Sequence, residues 1–307
     1  MTGAEIIKVI RKGFLFDNDQ PYTWDDDLLE ILLNESEREA CRRTNLIVDE
    51  TTASDSEAVP LPLCALDVVA ETSKYTLSQK IIRIRQCVPS WNSIALLQKT
   101  EGWLDEKYPS WRTSTGTPIY FLQDKGEIIV VPTPIANDTQ SVSSITLSGS
   151  TATVTLGGHG YTTGKKVAHA GADQAEYNAS ASITKIDDDT YSYTITGSPA
   201  TPATGTITAT LVDTLALEVQ RLPLSDIELA QDESPEVAAE YHFSLIDWVV
   251  HLALGNHDKD SEHFAKSQAH EAKFTQRFGP AVSARTENNR RRKPKNKGLR
   301  AKGFGFS

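Results

Sequence analysis

The chain has 307 residues, of which 39% are hydrophobic and 23% charged, and its net charge is −10. That length allows one large domain or two smaller ones, and that composition excludes a disordered chain. The most apolar stretch, Leu245 to Leu254, is broken by Asp247 and His251 and falls well short of the ~20 residues a membrane helix needs, so no segment is expected to span a bilayer.

The opening residues Met1-Thr2-Gly3-Ala4-Glu5 lack the basic, apolar and small-residue order of a signal peptide. Cys41, Cys64 and Cys87 are odd in number and form no C-x-x-C pair, so they are expected to be reduced thiols of a cytoplasmic setting rather than disulfide partners or zinc ligands. Charge is unevenly placed. Residues 285–307 carry +8 against −10 for the whole chain, which leaves −18 on residues 1–284. An acidic body with a basic tail needs an explanation.

Ile6, Ile7, Ile10 and Phe14 predict a first helix over residues 4–14. A second is predicted from a Thr23 cap, with Asp25 and Asp26 at its positive end and Trp24, Leu28, Ile31 and Leu32 as its apolar stripe. From Asn34 to Ala40 the segment turns polar and is expected to be partly exposed. Residues 49–60 are acidic and small, a loop pattern. Residues 75–88 are expected to be extended. Leu96 and Leu97 predict a short helix, and Trp103 and Leu104 a second helical turn. Two strands, 118–122 and 127–131, flank Gln123-Asp124-Lys125-Gly126 as a β-hairpin.

Beyond Pro132 and Pro134 the style changes. Residues 141–210 are dominated by Thr, Ser, Gly and Ala, with short alternating runs at 144–147, 151–154, 190–195 and 206–210. That pattern predicts a small all-β sandwich or barrel. From Leu215 the earlier style resumes. A helix is predicted from a Ser234 cap with Pro235 and Glu236, carrying Tyr241, Leu245, Trp248 and Leu252 and stopped by Gly255. Another runs from about Asp260 to Phe278, closed by Gly279-Pro280, and the two form an antiparallel hairpin. The fold class is α+β. A helical host domain with a small antiparallel sheet, residues 1–140 and 211–284, is interrupted by an all-β module at 141–210 and finished by a flexible basic arm at 285–307. Pairing of the strands that flank the module is expected to make it a loop insertion.

Candidate chemistry is sparse. In Gly157-Gly158-His159-Gly160-Tyr161-Thr162-Thr163-Gly164-Lys165-Lys166 only three residues separate Gly160 from Gly164, where a phosphate loop needs four, and Lys166 stands where Ser or Thr should hold magnesium. A β-turn is the expectation. His257-Asp258-Lys259-Asp260-Ser261-Glu262-His263 holds metal-capable groups but reads as a helix connection, since a hydrolytic site needs further converging ligands. Asp187-Asp188-Asp189 has consecutive acids where calcium loops alternate them, so a solvated turn is expected. No nucleophile has a matching base nearby. No catalytic residue, metal or cofactor is assigned, and an assembly protein rather than an enzyme is expected.

The tail Arg290-Arg291-Arg292-Lys293-Pro294-Lys295-Asn296-Lys297 could neutralise phosphates but lacks the interleaved aromatics of a single-strand platform. With Arg300, Phe304 and Phe306 it fits an arm that orders on a partner, a protein or a nucleic acid. Trp24, Leu28, Tyr241, Trp248, Phe274 and Phe278 are the candidate subunit-packing residues.

Two stretches carry a family likeness. One is Trp24 to Leu46, with Leu28-Leu29 and Asn34 to Arg43. The other is Leu222-Pro223-Leu224, Pro235-Glu236, His242 to Leu254, Asp258-Lys259-Asp260 and Phe274 to Gly279. Tyr108-Pro109-Ser110-Trp111 and Gly126-Glu127-Ile128-Ile129 lie between them. The host domain resembles the head-to-tail adaptor proteins of tailed bacteriophages, including the podovirus tail tubular type. The insert, through His159-Gly160-Tyr161, Gly164, Val167, Gly171, Tyr177-Asn178 and Asp189-Thr190-Tyr191, resembles a small Ig-like β module of phage structural proteins, departing from it at Lys165 and Ala179. The resemblance implies a homo-oligomeric ring, commonly of twelve copies, in the virion neck and assembled in the bacterial cytoplasm. Its implied partners are the portal protein, a tail or nozzle protein and the DNA passing through the channel, with no membrane. Two alternatives stay open: a glycan- or host-surface-binding module on a structural scaffold, and a DNA-binding assembly protein acting through the tail.

Overall fold

The computed structural model describes residues 1–124, 126–257 and 261–292, apart from a few side chains. In chain order the first elements are helix α1 (Gly3–Ile10), helix α2 (Asp26–Thr44) and strands β1 (Ile47–Asp49), β2 (Ala65–Asp67), β3 (Lys74–Thr76), β4 (Ile81–Pro89) and β5 (Leu97–Gln98). Helix α3 (Glu101–Lys107) and strands β6 (Tyr120–Asp124) and β7 (Glu127–Val131) come after them. Next come β8 (Thr139–Ser141), β9 (Ser144–Ser148), β10 (Thr151–Thr155), β11 (Lys166–Ala172), β12 (Ser180–Ser182), β13 (Thr184–Lys185), β14 (Thr190–Thr194), β15 (Gly205–Val212) and β16 (Thr214–Arg221). Helices α4 (His242–His257), α5 (Ser261–Phe278) and α6 (Ala284–Arg292) complete the described chain, which is α+β as the sequence predicts.

The helical layer is assembled from both ends of the chain. Ile6, Ile7 and Ile10 of α1, Leu29, Leu32, Leu33, Ala40 and Cys41 of α2, and Leu245, Ile246, Val249, Val250, Ala253 and Leu254 of α4 share one core with Phe274 and Phe278 of α5. Thr2 and Glu5 close a capping box at the start of α1. Past Ile10 the chain continues as a π turn, Arg11–Leu15. The α4–α5 hairpin forms as expected, and Gly279 ends it in the left-handed region at φ +82°. Gly255 does not end α4, which continues to His257. Its missing side chain serves packing instead, because a Cβ there would lie 3.3 Å from Ser267 Oγ on α5.

The cap of α2 is Asp25, whose side chain accepts from the Leu28 N–H at 2.7 Å. Thr23 is taken up otherwise, its N–H donating to Asp17. This corrects the predicted stripe. Leu29, Leu32 and Leu33 face the core, whereas Leu28 and Ile31 face outward. The polar run Asn34–Ala40 is partly exposed as expected at Glu35, Arg38 and Glu39, but its other face is covered. Asn34, Ser36 and Glu37 are buried, each bonded to the backbone of the distant segment 227–245.

Two antiparallel-rich sheets lie beyond the helices. In one, β16 is central, flanked by β4 on one edge and by β1 and β2 on the other. The second has the order β3-β7-β6-β5, with the predicted hairpin β6–β7 closing at Asp124↔Glu127. Their facing sides share a core of Tyr75, Leu77, Ile84, Cys87, Phe121, Ile128, Val130, Leu215, Leu217 and Val219. Leu96 and Leu97 make no helix, because their N–H groups donate to Cys87 and Ile119 of neighbouring segments rather than back along their own turn. The helix predicted from Ser234 starts eight residues later than expected. The Glu236 carboxylate binds Arg221 and the Leu224 N–H, the Val237 N–H donates to Glu37, and α4 starts only at His242.

Strands β8 to β15 form two four-stranded sheets, β13-β14-β10-β9 and β12-β11-β15-β8. They share a core that includes Ile145, Val154, Val167, Tyr177, Tyr191, Tyr193 and Ile207, and neither closes into a barrel. Gly171 makes one crossing possible. It sits at a bulge with φ +86°, and a Cβ there would lie 2.1 Å from the Thr206 carbonyl oxygen. The glycine-rich stretch 157–164 and the run Asp187–Asp189 are turns, as expected. The predicted pairing of the flanking host strands does not occur. β7 pairs with β3 and β6, while β16 pairs with β1, β2 and β4.

Candidate assembly surface

Arg11 fixes the segment that leads into α2. Its guanidinium donates to Asp17 at 2.7 Å and Asp26 at 2.8 Å and lies 4.0 Å from the Tyr22 ring centroid. Asp17 is buried, which raises its pKa, but bonds from the Thr23 and Trp24 N–H groups and the Arg11 charge outweigh that cost and hold its carboxyl below the usual range. This knot was not foreseen from sequence, because it joins residues that share no helical face. It sets the phase of α2 and turns Leu28, 40% exposed, and Ile31, 64% exposed, outward one turn apart.

The other packing candidates are distributed differently. Trp24, Phe274 and Phe278 are buried inside the chain. Phe274 and Phe278 pack tilted with centroids 4.6 Å apart, Trp248 lies 4.9 Å from Phe274, and Tyr241 lies 5.9 Å from Phe278. Arg43 closes this cluster over Trp248 at 4.6 Å and donates to the Gly279 carbonyl. These residues build the hairpin, and other apolar side chains are exposed. Phe243 and Phe264 are each 59% exposed, and Phe16 is 72% exposed. Phe243 meets Phe14 edge-on, and Phe14 meets His270, which pairs with Asp247 at 2.7 Å.

Below the helices lies a buried charge network. Arg221 donates to Asp49 at 2.8 Å and also binds Glu236. Asp49 is buried, yet N–H bonds from Thr51 and Thr52 and the Arg221 guanidinium keep its pKa well below the carboxylate range. Glu37 makes no ion pair among the described residues and feels only the weaker pull of the Arg38 charge. Burial, with the nearby Glu236 charge, pushes its pKa up to about 7 despite the N–H bonds it accepts. The three cysteines are buried thiols, each pushed up to about 12 chiefly by desolvation, so none is poised as a nucleophile.

The basic arm does not begin at residue 285 as a loose segment. Ala284–Arg292 is helix α6, which lies along β6 and β4, and Arg292 donates to Asp124 at 2.9 Å. The side chains of Arg290 and Arg291, and residues Lys293, Lys295, Lys297, Arg300, Phe304 and Phe306, lie outside the described residues. So do Asp258, Lys259 and Asp260 of the metal-capable run. Among the described residues no group of three His, Cys, Asp or Glu could hold a metal ion, and no helix is long and apolar enough to cross a membrane.

An aromatic cluster around α3 was visible in the sequence only as Tyr108-Pro109-Ser110-Trp111. Trp103, Tyr108 and Tyr120 lie with ring centroids 5.5–5.8 Å apart, and Lys99 sits 4.0 Å from the Trp103 centroid.

A comparison with curated proteins finds no match. Among solved structures, a phage phi92 endosialidase aligns at 18% identity over 28% of this chain and 14% of its own length, with a TM-score of 0.20, a likeness too partial to assign a fold. A family model described as SU10 adaptor protein matches residues 1–296, from the capping box of α1 through α6. The chain therefore belongs to the SU10 adaptor protein family, and it is a phage structural adaptor.

Proposed function

We propose that this adaptor is one subunit of a ring that joins the portal to the tail in the virion neck and lets DNA pass through its centre. The observation that carries this reading is the family match across residues 1–296, which covers the helical layer, the sheets and α6 alike. Exposed apolar side chains on separate helices, Leu28 and Ile31 on α2, Phe243 on α4 and Phe264 on α5, support contacts with neighbouring copies. The −18 carried by residues 1–284 suits a wall past which DNA slides without sticking. The chain's role in this reading is structural and non-catalytic, and the arm beyond Arg292 is its portal contact.

In the same reading, residues 139–212 are an Ig-like sandwich inserted into the adaptor and facing outward. Its two sheets share a core of their own. Its two ends leave the body side by side, with the Asn137 side chain donating to Leu211 O at 2.9 Å and to Asp213 at 3.0 Å. Lys165, the departure from the module pattern, donates to the Ser90 carbonyl of the body, and beside it Lys166 pairs with Asp67 at 2.6 Å.

Electron microscopy of the purified chain with and without portal tests the proposal. The expected result is closed rings on the portal axis, commonly twelvefold. Monomers that leave the portal unoccupied at micromolar concentrations would overturn it.

A further inference from the structure

The helical layer carries two exposed faces of opposite charge. The first is the start of α2. Residues 16–37 contain no Lys or Arg, and Asp25, Asp27, Leu28 and Ile31 are all exposed. Arg11 answers Asp17 and Asp26, which leaves this end of the helix net acidic. Farther along α2 the charges balance, as Arg42 pairs with Glu35 at 2.8 Å.

The second face is on α5 and the start of α4. Lys266, His270, Lys273 and Arg277 recur at spacings of four, three and four, so they stand along one stripe. Glu271, the only acid in the sequence from 263 to 278, falls off that stripe. Aromatic rings border the cations. Phe14 meets both His270 and Phe243 edge-on, and Arg277 lies 5.3 Å from the Tyr241 ring centroid. Phe243 is 59% exposed. Asp247 answers His270 and Glu262 answers Lys266, while Lys273 and Arg277, both exposed, keep the stripe positive. A basic stripe stands out on a body that carries −18 over residues 1–284.

Each face combines exposed apolar groups with charge of one sign. Set against itself, either would bring like charges together. Set against the other, the apolar groups are covered and the charges are opposite. Contact between two different faces of identical chains is head-to-tail, and it repeats until a ring closes.

We propose that the acidic, apolar face of α2 on one copy docks on the basic, aromatic face of α4 and α5 on the next. The partner is a second copy of this chain. Duplex DNA would answer the cations but would leave Phe14 and Phe243 uncovered. The inference rests on the ring reading above and names the contact that would build the ring.

Two full-length variants test it by complementation. Ile31→Arg puts a cation on the α2 face, and Phe243→Glu puts an acid on the aromatic face. Both side chains are exposed, so each variant is expected to keep the wild-type thermal midpoint. Asp27→Lys and Lys273→Glu repeat the test with changes farther from the core. Assembly is read by analytical ultracentrifugation of the free chain and by electron microscopy on the portal. Each variant alone should self-associate about a hundredfold more weakly than wild type. Mixed in equal amounts, Ile31→Arg and Phe243→Glu should give one-to-one dimers and no rings, because a single junction of intact faces remains. Wild-type rings from either variant alone, or a mixture without dimers, would overturn this contact and leave the ring reading standing. Wild-type chain that stays monomeric and leaves the portal unoccupied would overturn both. Duplex DNA binding lost in Phe243→Glu with assembly unchanged would assign the face to DNA instead.

Discussion

The helical layer and the β8–β15 region bury polar groups in different ways. In the helical layer Asn34, Ser36 and Glu37 of α2 bond to backbone at Ile227, Leu245 and Val237, partners 193, 209 and 200 residues away. In the β8–β15 region the buried polar groups bond to near neighbours. His169 bonds to Tyr191, 22 residues on, and Tyr193 to the Tyr177 carbonyl, 16 residues back. The buried polar groups of α2 need the far end of the chain, whereas His169 and Tyr193 find their partners within their own segment. A chain can accept a self-contained unit in mid-sequence without disturbing a core that closes around it.

The sharpest test of that contrast is a cavity in the helical layer. Phe274→Ala should cost about 3–5 kcal/mol of stability there, measured by hydrogen exchange, while amides of β10 and β14 keep their protection. Equal loss in both regions would mean that they unfold as one unit.

The two regions should also answer pH with opposite signs. Burial depresses the His169 pKa from 6.5 to about 4. The unfolded chain therefore binds the proton first, and the β8–β15 region should lose about 3 kcal/mol as pH falls from about 6.5 to 4. Glu37 is raised from 4.5 to about 7, so the folded helical layer holds the extra proton. Its contribution is complete below pH 4.5 and is lost as pH rises through 7, again about 3 kcal/mol. Glu37→Gln, which keeps an acceptor for the Val237 N–H, should flatten the helical layer's profile in that window only. Regional hydrogen exchange across pH reads both slopes.

A smaller effect is expected from removing residues 141–210 and bridging the gap with a short glycine-serine linker. Because Asn137 and Asp213 are already adjacent, the helical layer should change by about 1 kcal/mol or less in denaturant unfolding. Collapse of the remaining fold would make the β segment part of the host core. Least of all should be felt from Leu28→Glu with Ile31→Glu. Stability should stay within about 0.5 kcal/mol in thermal unfolding, since both side chains face outward. Self-association in analytical ultracentrifugation should weaken if α2 meets a neighbouring copy.

Periodicity and turn chemistry were sufficient where bonding is local. They determined α1, the β6–β7 hairpin, the α4–α5 pair ended by Gly279, and four of the eight strands from β8 to β15, because in each the pattern and the hydrogen bonds lie within a few residues of one another. The adaptor family was legible through motifs of the same local kind. Tertiary structure decided what depends on distant partners. It placed the α2 cap at Asp25, whose carboxylate accepts from the Leu28 N–H, held Thr23 and Trp24 against Asp17 from the preceding segment, and left Leu28 and Ile31 outward. It kept residues 234–238 out of a helix because Arg221 and Glu37 satisfy groups that a helix would have used. It buried Phe274 and Phe278, named from sequence as packing residues, inside their own chain. The physical reason is common to all three. A side chain's spacing shows which neighbours share its face, but the competing donor or acceptor that fixes its environment comes from a segment the local pattern does not contain.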